Sequence, residues 1–97
     1  MKIVLHAPTA GALARARANF RNLRRDNPAA EIRIIANAEA VPAALEGPDP
    51  DADPALALCE NTLRSRGLAA PSHLAKVAVA IRAIAELQQE GWIYIRA

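Results

Sequence analysis

Apolar residues along this chain gather in two ways: short unbroken runs, and longer stretches in which they return at helical spacing. Lys2 to Ala7 is a short apolar run closed by Pro8, the signature of a buried strand. Thr9 then offers a helix cap. The next segment places Leu13, Ala16, Phe20 and Leu23 on one face with the arginines elsewhere, which predicts a helix that ends at Asp26-Asn27-Pro28. Glu31 to Ala36 is rich in β-branched residues and predicts a second strand. From Asn37 a shorter helix is expected to run through Leu45 and stop at Gly47-Pro48, and Ala55 to Cys59 predicts a third strand. Strands alternating with helices imply a parallel sheet whose connections cross over its faces. Internal repeats and a linker are both absent, so residues 1–97 read as a single domain.

The stretch from Ser72 to Glu90 is ambiguous. Leu74, Val77, Ile81, Ile84 and Leu87 return at helical spacing, and by pattern alone they predict one long helix.

Composition narrows the class. A chain of 97 residues holds one core and buries only about 60 to 65 per cent of its unfolded surface, which leaves a monomer modestly stable. The 53% hydrophobic content is inflated by alanine, and the aromatics are Phe20, Trp92 and Tyr94. Such a core packs closely but buries little area per residue. Exposed Trp92 or Phe20 would provide apolar surface for self-association, so a homo-oligomer is expected. No run approaches the ~20 apolar residues of a membrane span, and Met1-Lys2-Ile3 does not begin a signal peptide. A cytoplasmic protein without a membrane partner is the expectation. One cysteine excludes an internal disulfide, and two histidines give no zinc-ligand spacing, so neither a metal nor a cofactor is expected.

The charge of +2 is unevenly spread: Arg15, Arg17, Arg21, Arg24 and Arg25 crowd the first helix, and Asp49, Asp51 and Asp53 gather after Gly47. Nucleic-acid binding would call for a larger positive excess or an accompanying recognition motif, and neither is present. The arginines read as a solvated helix face. The acidic segment resembles a calcium loop in spacing, but it lacks the central glycine and the terminal glutamate, and it reads as a turn-rich connection.

Candidate chemistry centres on Cys59, where the apolar run Ala55-Leu56-Ala57-Leu58 gives way to Glu60-Asn61-Thr62-Leu63-Arg64-Ser65-Arg66-Gly67. A cysteine at the first turn of a helix sees unpaired backbone N–H groups and the positive end of the helix dipole, both of which favour thiolate. The bland account is a small buried residue at a strand end. In a parallel sheet the carboxyl ends of the strands share one rim, where open α/β folds place their sites. His6, Asn37 and Cys59 fall there together. Asn61 and Thr62 add donors, and Arg64 is placed to reach an anionic group, whereas Arg66 projects into water. Each also has an ordinary structural use, Asn37 as a cap and His6 bonded to backbone. No serine lies in a motif that would set it beside His6 or His73 as a hydrolytic triad.

The segment Ala57-Leu58-Cys59-Glu60-Asn61-Thr62-Leu63-Arg64-Ser65-Arg66-Gly67-Leu68, with Gln88-Gln89-Glu90-Gly91-Trp92-Ile93-Tyr94-Ile95 near the end, resembles the DsrE/DsrF-like family of small α/β proteins. Ile3-Val4-Leu5-His6, Asn22-Leu23, and Ala36-Asn37 followed by Val41 extend the resemblance over nearly the whole chain. Its nearest part is the uncharacterised single-domain branch. The resemblance implies a three-layer α/β/α sandwich with a mostly parallel sheet of about five strands. It splits the ambiguous region into a strand from Lys76 to Ala80 and a helix from Ile81 to Glu90, closed by Gly91 before a strand from Trp92 to Arg96. Relatives often have a proline and a small residue where this chain has Ala78-Val79.

In the family's sulfur-relay members the cysteine matching Cys59 carries sulfane sulfur as a persulfide. The resemblance carries over Cys59 alone, as the carrier; the shared rim adds His6 as a proton partner and Asn37, Asn61, Thr62 and Arg64 around it. The resemblance also implies assembly into trimers or larger rings, and a sulfur donor or acceptor protein as partner. Relays that release sulfur through a disulfide use a second cysteine, which this chain lacks, so transfer would run between Cys59 and a partner's thiol. The alternative is a non-catalytic oligomeric module that binds a small anion or metabolite at the same rim.

Overall fold

The computed structural model describes all 97 residues. Ten segments follow one another: β1 (Lys2–Ala7), α1 (Ala10–Asp26), β2 (Glu31–Ala36), α2 (Ala40–Glu46), a 3-10 turn (Asp53–Ala55), β3 (Leu56–Cys59), α3 (Glu60–Ser65), β4 (Ala75–Val77), α4 (Ala80–Gln89) and β5 (Ile93–Arg96). The strands form one sheet in the order β4-β3-β2-β1-β5, and every pairing is parallel. Strand order runs outward from β1 to β4 and then returns to place β5 on the other side of β1. Because each crossover is right-handed, that reversal puts α4 on the opposite face from α1 and α2.

Strand alternation separates two cores accordingly. Ile3, Leu5, Ala7, Ile34, Ala36, Leu56 and Leu58 point toward α1 and α2 in a cluster of 17 buried residues. Val4, Ile35 and Cys59 point toward α4, where Ala80, Ile84, Leu87 and Trp92 complete a cluster of 7. The larger core uses Ala12 and Ala16 from α1 against Ala40 and Ala44 from α2, all 2% exposed or less, which lets these helices lie close on the sheet. Leu13, Ile34, Leu56, Leu58 and Val41 here, and Val4 in the α4 core, are the largest wholly enclosed side chains of the domain. Burying each of these contributes roughly 1.5–3 kcal/mol.

Local signals explain most boundaries. Thr9 caps α1 by accepting the Ala12 N–H at 3.0 Å, and Pro28 prevents its continuation beyond Asn27. The second helix starts at Ala40 rather than Asn37. Ala38 takes a left-handed backbone with φ of 49°, and the Asn37 side chain turns back toward β1, so residues 37–39 form a turn. Ala55 belongs to the 3-10 turn, which shortens β3 to Leu56–Cys59.

The region from Ser72 to Glu90 is a strand and a helix, although β4 occupies Ala75–Val77 and α4 starts at Ala80. Two tertiary bonds break the helical pattern: the Asn61 N–H reaches Ala78 O at 3.2 Å, and the Ala80 N–H reaches the Cys59 sulfur. The regular spacing joined residues with different fates. Leu74 lies in the α1–α2 core, Ile84 and Leu87 in the α4 core, and Ile81 is 75% exposed.

Two other expectations are corrected. Phe20 and Trp92 are buried, Trp92 beneath the Arg33 guanidinium at 4.8 Å from the ring centre. The arginines of α1 are not all solvated. Arg17 binds Asp53 at 2.9 Å and Gly47 O at 2.7 Å, and Arg21 binds Asp49 at 2.6 Å. Asp49 in turn organises its own loop by accepting the Ala52 N–H, and its N–H donates to Asp53. The basic helix and the acidic segment, far apart in sequence, are partners in the fold.

Candidate functional site

Cys59 is the last residue of β3 and the cap position of α3, and only 4% of it is exposed. Its sulfur accepts the Ala80 N–H, the first amide of α4, at 3.4 Å. That bond has full hydrogen-bond geometry, whereas the amides of Thr62 and Asn61 act on the sulfur as aligned dipoles. The Asn61 N–H is shared with Ala78 O. Burial alone pushes the thiol up, but the Thr62 and Ala80 amides, the Thr62 hydroxyl and the Asn61 amide outweigh it, so the thiol lies below its ordinary value.

Thr62 is buried, and its hydroxyl has two neighbours. Its oxygen accepts the Ala38 N–H at 3.2 Å, which leaves its proton to be directed at the sulfur. The strained Ala38 turn after β2 thereby fixes a donor beside a residue of β3. A left-handed alanine costs about 1–2 kcal/mol relative to an unstrained backbone.

His6 lies on the same face of the sheet as Cys59, two strands away and two positions back in register, a separation of about 12 Å. Both of its ring nitrogens are occupied. Asn37 Oδ1 only accepts, so the 3.0 Å contact is an Nε2–H donation, and Nδ1 accepts from the Tyr94 hydroxyl at 2.7 Å. The structure thus brings His6 to Asn37 and Tyr94, and sets Cys59 with Thr62, Asn61 and Ala80. Asn37 follows β2, the strand between β1 and β3, and its side chain bonds to His6. Arg64 is exposed and forms no ion pair, and Arg66 binds Glu39 at 2.7 Å. No cluster of three or more His, Cys, Asp and Glu side chains is present.

Sequence reading missed Tyr94, the Ala80 amide and the Ala38 turn. The first two carry no motif and depend on β5 lying beside β1 and on α4 beginning beside β3. The third had a signal, since Ala38 follows an asparagine at a strand-to-helix turn. Beside α4, over β2 to β4, lies an open groove of about 690 Å³ lined by Arg33, Ala57, Lys76, Val77, Arg82 and others, and Cys59 is not among its walls.

The fold is that of a small α/β domain with a five-stranded all-parallel sheet and four helices, its polar residues gathered at the carboxyl ends of the strands. Among solved structures it is similar to MTH1491, a protein of unknown function from Methanobacterium thermoautotrophicum, with a TM-score of 0.80 and 24% identity over 99% of this chain and 98% of that one. No family model matches the chain, and no curated protein does. The likeness to MTH1491 concerns the fold. No helix is long and apolar enough to cross a membrane.

Proposed function

We propose that this protein handles sulfane sulfur in the manner of the DsrE/DsrF-like proteins its sequence resembles, with Cys59 as the persulfide carrier. The observation that supports this reading is the sulfur itself, held between the first turns of α3 and α4 with an amide of α4 bonded to it. In the loading step the Cys59 thiolate attacks the outer sulfur of a donor R–S–SH. A new S–S bond forms, the donor S–S bond breaks, and the donor thiolate leaves with its electron pair. Unloading reverses the roles: an acceptor thiolate takes the outer sulfur and Cys59 leaves as thiolate. A site that favours thiolate favours the leaving step and the anionic persulfide alike. The donor and acceptor are sulfur-bearing proteins or small thiols of a reducing cytoplasm.

Intact-mass measurement after incubation with a sulfane-sulfur donor tests the proposal. A gain of one sulfur atom on the wild-type chain, absent from Cys59→Ser, is the expected result. A folded protein that never gains sulfur removes it.

A second reading draws on the burial of Cys59: a non-catalytic module that binds a small anion or metabolite at the rim, with the sulfur as lining. Both readings include self-association into a trimer or larger ring. Ile81, Ile93 and Ile95 are 75%, 51% and 42% exposed and provide the apolar surface.

A further inference from the structure

The two edges of the sheet are finished differently. β4 is 3 residues long and carries Lys76 at its centre, a charge that discourages further pairing. β5 lacks that protection. Ile93, Tyr94, Ile95 and Arg96 are all exposed, the run is β-branched and aromatic up to its last residue, and no proline interrupts it. Hydrogen bonds of the neighbouring strands fix which backbone groups of β5 are free. The Glu31 N–H reaches Met1 O and the Asn37 N–H reaches Ala7 O, so odd-numbered residues of β1 turn their backbone toward β2 and even-numbered ones toward β5. On β5 the Ala97 N–H reaches His6 O at 2.9 Å. Ile93 and Ile95 therefore bond inward as well, and the N–H and C=O groups of Tyr94 and Arg96 point out of the sheet.

A second copy of β5 satisfies these groups in one register. A two-fold axis perpendicular to the sheet keeps the two faces in line only when it passes through a residue, because neighbours along a strand face opposite ways. With the axis on Ile95, Tyr94 of each copy opposes Arg96 of the other, and each such pair exchanges both of its backbone bonds. Ile95 then opposes itself in the closer, unbonded kind of pair, about 4.5 Å between α-carbons. An axis on Ile93 or Tyr94 would instead oppose a free residue to Trp92, whose N–H is already given to Leu87 O. An axis on Arg96 would set like charges face to face. Side chains agree with Ile95. Arg96 bonds only to the neighbouring Ala97 O, and across the axis its guanidinium meets the ring of Tyr94. On the other face Ile95 is 42% exposed beside an apolar groove of about 380 Å³ floored by Ile3 and Leu5 and walled by Leu23, which the second Ile95 adjoins.

We infer that β5 pairs antiparallel with β5 of a second copy of this chain about a two-fold axis through Ile95, joining the two sheets into one. The inference builds on the self-association proposed above by assigning it a surface and a register, and it is independent of the sulfur chemistry. A two-fold contact makes the assembly even-numbered, so any ring occurs in pairs. Because the Tyr94 hydroxyl bonds to His6, the contact also adjoins the rim at the carboxyl ends of the strands.

The test is disulfide trapping in the full chain carrying Cys59→Ser, with a mild disulfide oxidant and a non-reducing gel. Ile95→Cys places the two sulfurs across the axis at a separation a disulfide spans, and it is expected to yield a covalent dimer. Ile93→Cys is the control. Ile93 is the more exposed of the two at 51%, but its copies lie about 14 Å apart along the paired strands, so it should link far less. Equal linking by both variants, preferential linking by Ile93→Cys, or none by Ile95→Cys overturns the inference. Arg96→Pro supplies a second measurement, because it removes an outward N–H and no bond to β1. Sedimentation should show association weakened on the order of tenfold or more with the circular dichroism of the fold retained, and unchanged association in folded Arg96→Pro overturns the inference too. The proposed ring is read separately: linked dimers without larger species remove the ring and leave this inference standing, whereas larger species without Ile95→Cys linking do the reverse.

Discussion

The backbone N–H of Ala80 donates to the sulfur of Cys59 across 3.4 Å, although the two residues are 21 positions apart. One bond thus ties the end of β3 to the start of α4. It joins the cap of α3 to the first residue of α4, two positions that local sequence treats separately, and it helps explain how a sulfur so well buried is still biased toward its charged form.

Burial and bias together set an expected pattern of reactivity. At neutral pH a small thiosulfonate should modify Cys59 in the folded protein faster than it modifies a free thiol of equal access, whereas a bulky aromatic disulfide should react slowly. Denaturant should speed the bulky reagent and remove the difference. Parallel rate measurements with the two reagents check this, and equal rates for both in the folded chain would contradict the 4% exposure of the residue.

Thr62 joins the strained turn to the sulfur. Thr62→Val leaves the Ala38 N–H without its acceptor and is expected to cost about 1–3 kcal/mol in urea unfolding, with the thiol midpoint rising. Thr62→Ser keeps the hydroxyl and should restore both. At Ala38 itself the left-handed backbone suits glycine, so Ala38→Gly should stabilise the fold by about 0.5–1 kcal/mol while leaving the Thr62 bond in place. A destabilised Ala38→Gly would show that the turn is held by its methyl group.

The ion pairs between α1 and the acidic loop predict an acid-sensitive region. Asp53→Ala removes the shortest carboxylate partner of the largely buried Arg17 guanidinium, leaving Gly47 O and the longer Asp49 contact, and should cost about 1–3 kcal/mol. Asp49 acts through pH: its hydrogen bond from Arg21 holds its carboxyl below the ordinary value, so the unfolded chain takes up that proton first as pH falls. Its stabilisation is therefore complete above the unfolded carboxylate value of about 3.9 and declines as pH falls through the lower folded value. Urea midpoints measured across that range should show a smaller acid loss in Asp49→Asn than in wild type.

Assembly is checked by sedimentation at micromolar concentration. The wild-type chain should sediment above its monomer mass of 10.3 kDa, and Ile95→Lys, which places a charge on the exposed edge strand β5, should shift it toward the monomer. A wild-type monomer would remove the proposed ring.

The sequence by itself determined what depends on neighbours along the chain. The run from Lys2 to Ala7, the Thr9 cap, the apolar face of α1 and the β-branched run ending at Ala36 each carry their own local signal, and the parallel α/β class follows from their alternation. The polar residues at the strand ends were legible for the same reason, because parallel strands share one rim. Tertiary structure decided everything that depends on which strands adjoin. No local pattern puts Tyr94 beside His6, since only the return of β5 to the side of β1 does so. Likewise the spacing of Leu74, Val77, Ile81, Ile84 and Leu87 imitated a helix, until the Asn61 bond to Ala78 and the Ala80 bond to Cys59 broke it at residues 78–79 and made Ala80 the start of α4. The charges of α1 and of the acidic loop looked like solvated segments because each is single-signed along the chain, and they became an ion-paired clamp only when the fold laid one on the other.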